Sequence, residues 1–323
     1  MMRNDSPGRQ ILFLAFLFIG QGAVIVAADP AKPAPPELVF QSGFEGSTAI
    51  TPGEKTDVIT GGDPALPLSD WTELQRKGTI GAVCVNYTGG APSQRHARII
   101  PEPGNPDNRV LQFWLDDAWL ADGNQLKARV QMEFYDIKGG LKEFYQSTRV
   151  YLSEDFNVLK SYPKKINWCT LAEFWNNEWW IEGEPHGFRI TLGLGKPTGA
   201  ASELNFILNG EDAGQKEVWK GENLAVKVPL GRWFTMDCYF KEGDQKSGRF
   251  WMAITQDGGA RQVVFDIHHF THMTKDPAPN GVTGYNPMKL YTSHELVKYV
   301  KAQGKTLQIY WDDFKLWKNK GPE

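Results

Sequence analysis

Residues 166–196 read INWCTLAEFWNNEWWIEGEPHGFRITLGLGK. At a period of two, Cys169, Leu171, Glu173, Trp175 and Asn177 fall on one face of a strand, and Trp168, Thr170, Ala172 and Phe174 on the other. The turn signal Glu182-Gly183-Glu184-Pro185 follows, and a second alternating run goes from Phe188 to Leu194. Four of the twelve tryptophans (Trp168, Trp175, Trp179, Trp180) lie here, interleaved with Glu173, Glu178, Glu182, Glu184, His186 and Arg189. A strand face that shows a carboxylate, an indole and an amide is more than a packing surface. Flat indoles stack on the C–H faces of sugars, while acids and amides bond their hydroxyls. A buried sandwich core would explain any one of these tryptophans equally well. The cluster is what points to a sugar.

The same alternation recurs along the chain, at 38–44, 81–87, 109–115, 127–135, 143–152, 204–208, 232–241, 249–255, 263–267 and 306–318. Gly, Pro, Asn and Asp clusters such as Pro103-Gly104-Asn105-Pro106 and Asp257-Gly258-Gly259 separate the runs. Many short strands with such punctuation predict an all-β fold, a two-sheet β-sandwich or jelly roll. One short helix is signalled near the C-terminus, at 293–303. There Thr292-Ser293-His294-Glu295 reads as a capping box, Leu296, Val297 and Val300 form a stripe, and Gly304 is the stop.

Residues 11–26 are almost wholly apolar, follow Arg3 and Arg9, and end in Val26-Ala27-Ala28, which predicts a signal peptide over 1–28. A proline-rich spacer occupies 29–36 and a single domain 37–323, so the protein is expected outside the cytoplasm, secreted or periplasmic. Without the leader the chain holds 33 basic and 37 acidic residues. That mild balance argues against nucleic acid and against a membrane surface as partners once the leader is cleaved. Three cysteines allow at most one disulfide, and no CxxC or HExxH spacing suggests zinc.

The terminal stretches Val39-Phe40-Gln41-Ser42-Gly43-Phe44-Glu45 and Tyr310-Trp311-Asp312-Asp313-Phe314-Lys315-Leu316 look like the paired end strands of polysaccharide-active jelly rolls. With Gly231-Arg232-Trp233-Phe234, Tyr239-Phe240-Lys241, Gly248-Arg249-Phe250 and Asn286-Pro287-Met288-Lys289-Leu290-Tyr291, the pattern resembles the concanavalin A-like polysaccharide lyases, the group of alginate, glucuronan and heparin-type lyases. The resemblance implies a jelly roll with its cleft on one sheet, no required cofactor, and a structural calcium helped by Glu45 and Asp313. The motifs depart from the alginate-lyase pattern. Arg129-Val130-Gln131-Met132-Glu133 alters the early arginine strand, and Lys289 and Tyr291 stand two apart where that group has four.

Lyase chemistry on a uronate needs a cation or amide on the carboxylate, a base for the C5 proton and an acid for the leaving oxygen. Arg129, Gln131 and Glu133 share one strand face, as do Lys289 and Tyr291, and Tyr291 or His186 can be base or acid. Arg129, Gln131, Glu133, Glu173, His186, Lys289 and Tyr291 are therefore the catalytic candidates. Trp175, Asn177, Trp179, Trp180 and Arg189 are the candidates for holding a polysaccharide. A jelly-roll glycoside hydrolase would use Glu133 and Glu173 instead, and a non-catalytic glycan-binding module would need only the aromatics and amides.

Overall fold

The computed structural model describes residues 34–53, 56–76, 80, 82–86, 91–120, 126–178 and 183–322. The predicted signal peptide, most of the spacer, Trp179 and Trp180 lie outside them. Among the described residues no helix is long and apolar enough to cross a membrane.

Two large antiparallel sheets enclose one core, a jelly-roll sandwich of the class the alternation predicts. The eight-stranded sheet runs Arg261–His268, Arg249–Gln256, Trp233–Lys241, Glu143–Leu152, Leu307–Lys318, Asn105–Leu115, Arg95–Glu102. Its eighth strand, Glu37–Ser42, pairs with Leu307–Lys318, so the two ends of the domain lie side by side as expected. The nine-stranded sheet runs Lys216–Asn223, Asn205–Asp212, Phe188–Gly195, Cys169–Asn176. Gly284–Asn286 and Lys289–Ser293 then share the slot between Cys169–Asn176 and Leu126–Tyr135. Ala82–Asn86 and Trp119–Leu120 also pair with Leu126–Tyr135.

Period-two burial drives this arrangement. Along Leu126–Tyr135, Ala128, Val130, Met132 and Phe134 enter the core, which turns Arg129, Gln131, Glu133 and Tyr135 outward. Aromatic side chains from both sheets meet in the middle, Phe144 lying 5.4 Å from Phe240, 6.0 Å from Phe174 and 5.5 Å from Tyr285 between centroids. Each such side chain taken from water stabilises the fold by about 1.5–3 kcal/mol.

The helix forms as His294–Ala302 with Leu296, Val297 and Val300 buried. Its cap is Ser293, whose hydroxyl accepts from the Leu296 amide at 3.3 Å, not the Thr292–Glu295 box. Glu295 instead meets Lys164 at 3.2 Å. Strands Arg95–Glu102 and Lys216–Asn223 went unsignalled; both stand at sheet edges, where one row of contacts is missing and the apolar alternation weakens. All three cysteines are free thiols, with Cys169 and Cys238 buried.

Candidate functional site

A cleft of about 630 Å³ opens on the outer face of the nine-stranded sheet. Arg129, Gln131, Glu133, Glu173, Trp175, Arg189, Lys289 and Tyr291 all line it. They come from four adjacent strand positions, brought level by registers that set Tyr291 opposite both Arg129 and Thr170, and Lys289 opposite Gln131. One correction concerns the strand Cys169–Asn176. Its register shifts between Thr170 and Ala172, and this bulge inverts the alternation. Leu171, expected on the polar face, is in the core beside Ala172, while Trp168 and Thr170 line the cleft.

The floor is a charged network. Lys289 Nζ donates to Glu173 Oε2 at 2.6 Å, with both side chains almost fully buried. Arg189 lies 3.7 Å from the other Glu173 oxygen, donates through Nε to Glu211 at 3.1 Å, and sits 5.0 Å from the Trp175 ring centroid. The Arg129 guanidinium is 5.6 Å from the centroid of the Tyr291 ring and Lys289 Nζ is 5.1 Å from it. Trp168 meets Tyr291 edge-on at 4.7 Å.

Protonation follows from this crowding. Burial alone would raise the Glu173 carboxyl, but Lys289, Arg189 and Arg129 together hold it below the usual range. Burial pushes Lys289 down to about 8, and Arg129 adds to that against the pull of Glu173. Burial raises the Tyr291 phenol, which is therefore neutral at physiological pH. Polar atoms of cleft-lining residues without a protein hydrogen-bond partner include the buried Arg129 Nε and the buried Gln131 Oε1. Gln131 Nε2 and the Tyr135 hydroxyl both donate to Glu133, which the Cys84 thiol also approaches at 3.5 Å.

Three expected positions fall elsewhere. Asn177 lies just past the strand end with φ of 57°, and its amide donates to Asp276 at 3.3 Å instead of entering the cleft. His186 belongs to the connection before Phe188–Gly195; its backbone N–H donates to Glu184, and it is not among the cleft-lining residues. Asp313 is exposed, and the buried acid is its neighbour Asp312, which accepts from Asn108 at 2.9 Å and faces Arg149 at 3.6 Å. Glu45 already accepts from the Arg109 backbone at 2.5 Å. Among the described residues no group of three or more His, Cys, Asp and Glu side chains stands together as metal ligands would.

Sequence reasoning also passed over lining residues. Glu211 is named by no motif and reaches the cleft only because its strand pairs with Phe188–Gly195. Glu178 stands beyond the last strand residue, where alternation stops giving direction.

No protein-family model matches the chain, and no curated protein matches it. Solved structures similar to it include an alginate lyase from Aplysia kurodai, at 11% identity and a TM-score of 0.44, covering 69% of this chain and 87% of that one. An endo-β-1,4-glucuronan lyase from Trichoderma reesei is similar at 14% identity and a TM-score of 0.42, covering 72% and 89%. Domain 4 of an extracellular arabinanase from Geobacillus stearothermophilus, solved with arabinotriose, is similar at 10% and 0.39, covering 88% and 93%. The functional reading therefore stands on this chain's own side chains.

Proposed function

We propose that this chain is an exported polysaccharide lyase that cleaves a uronate-containing polysaccharide by β-elimination. The observation that carries the reading is the unpartnered, buried Arg129 Nε beside Lys289 and Tyr291 on one cleft floor. A guanidinium with a free donor suits a substrate carboxylate, and neutralising that carboxylate acidifies the C5 proton next to it. Gln131 lies directly along the strand to help orient the sugar.

Lys289, pushed down to about 8, has a neutral amine fraction near neutral pH that can take the C5 proton. As the C5–H electrons form the C4=C5 double bond, the C4–O bond breaks and the leaving oxygen takes a proton from the Tyr291 hydroxyl. The ammonium and phenolate left behind then exchange a proton to reset the site. A hydrolase using Glu133 and Glu173 would have to take its proton from Glu133, because Glu173 is held ionised by three cations and could serve only as base or nucleophile.

The deciding experiment is ultraviolet absorbance of new unsaturated uronates across a panel of acidic polysaccharides. A rise supports the lyase. Reducing ends without that absorbance would turn the reading to a hydrolase. Retention on a polysaccharide gel without either product would leave a glycan-binding module.

A further inference from the structure

One corner of the cleft is acidic. Glu133 lies there, 6% exposed, near the end of its strand, and Asp136 follows that strand. Glu178, 8% exposed, folds over Gly284 so closely that any Cβ at that glycine would collide with its carboxyl. Burial, then the charges of Glu133 and Asp136, push Glu178 up to about 7, so the corner already resists a second negative charge. Gln131, 2% exposed, adds Oε1, a lining acceptor without a donor, because its own Nε2 is committed to Glu133. The corner is therefore rich in acceptors, and its neighbouring donors, Gln131 Nε2 and the Tyr135 hydroxyl, already serve Glu133. Arg129 stands four residues back along the same strand, about 13 Å away at about 3.3 Å per residue.

We propose that the sugar bound at this corner carries no carboxylate, so the ligand is a mixed polysaccharide in which uronates alternate with neutral or N-acetylated sugars. The proposal rests on the acidic-polysaccharide reading above and adds the class of chain. The carboxylate of a uronate is an acceptor only and cannot satisfy Gln131 Oε1, whereas hydroxyl and amide N–H groups can. A second uronate would also face Glu133 and Glu178 with like charge, which weakens binding at least ~10-fold. Glu178 is thus a specificity-determining residue, and Arg129 reads the single uronate.

The test compares two unsulfated classes by unsaturated-uronate release. One class comprises polymannuronate, polyguluronate and polyglucuronate. The other comprises polymers of glucuronate alternating with N-acetylhexosamine or with rhamnose. Binding of the same chains to the Tyr291→Phe protein gives an activity-independent readout. The expected result is a preference for an alternating chain of at least ~10-fold, shrinking at least ~5-fold in Glu178→Gln, a substitution that keeps shape and removes charge. Preference for polyuronates, or a preference that Glu178→Gln leaves intact, overturns the proposal while the acidic-polysaccharide reading survives. Neither turnover nor binding on any of the chains overturns both.

Discussion

The two outward sheet faces carry nearly the same residue types and use them in opposite ways. On the eight-stranded sheet Trp251, Tyr239, Tyr145 and Trp317 stand directly opposite one another across four strands. Cations cap this row: Arg261 over Trp251 at 5.9 Å, Arg249 over Tyr239 at 5.8 Å, and Lys320 over Tyr145 and Trp317 at 4.7 and 4.4 Å. Arg249 and Arg261 are in turn paired with Asp266 and Asp237 at 2.7 and 3.1 Å. That face is closed on itself. On the nine-stranded sheet the aromatics Trp168, Trp175 and Tyr291 border a cleft, Arg129 and Gln131 each keep an unbonded atom, and Lys289 is buried at a cost. Aromatic and charged alternation thus marks an outward face, while unspent hydrogen-bonding atoms mark the one with a ligand to meet.

The sharpest way to break this contrast is Tyr291→Phe. It removes one hydroxyl from the cleft and should lower turnover at least ~100-fold, within the range for a positioned acid, while the dissociation constant of an uncleaved oligosaccharide moves less than ~3-fold. Unchanged kcat would remove Tyr291 from the chemistry. Arg129→Ala comes next. Losing a charge-assisted bond worth about 1.5–3 kcal/mol should weaken binding at least ~10-fold. Arg261→Ala serves as its partner on the other face and should leave kcat/KM unaltered. Equal losses from the two arginines would mean that the faces are not functionally distinct.

The acid–base step gives a smaller, pH-dependent effect. Lys289 must be neutral to accept a proton, so kcat should rise with pH, by roughly 5-fold between pH 7 and 8, and level off above its value of about 8. A profile that falls over that interval would assign the limb to another group.

Most of the architecture was legible because strands with one buried face must alternate, and Glu143–Leu152 appears at the boundaries its pattern gave. The cleft was legible for the same reason: a carboxylate, guanidinium or amide at every second position of an otherwise apolar strand has to face out. Legibility failed where period two fails. The bulge after Thr170 moved Trp168 into the cleft and Leu171 out of it, and no residue type announces a bulge. Past the strand ends, Asn177 turned away and Glu178 turned in, through loop geometry that depends on Thr283, Asp276 and Gly284 from a distant stretch of chain. The proton affinities of Lys289 and Glu178 were likewise invisible, since they are set by burial and by charges on neighbouring strands.

The smallest expected effect belongs to the closed face. Lys320→Ala removes the cation above Tyr145 and Trp317. A partly exposed cation–π contact is worth about 0.5–1 kcal/mol, so melting should drop by roughly 1–2 °C for a domain of this size. Added salt should reduce the difference between wild type and variant, because part of the attraction is screened electrostatics. Turnover and oligosaccharide binding should stay within ~1.5-fold of wild type, since the contact stabilises a surface with no part in the cleft. A melting shift with no change in kcat/KM keeps the two faces apart. A fall in kcat/KM comparable to that of Arg129→Ala would instead make the capped aromatic row a second contact for the polysaccharide.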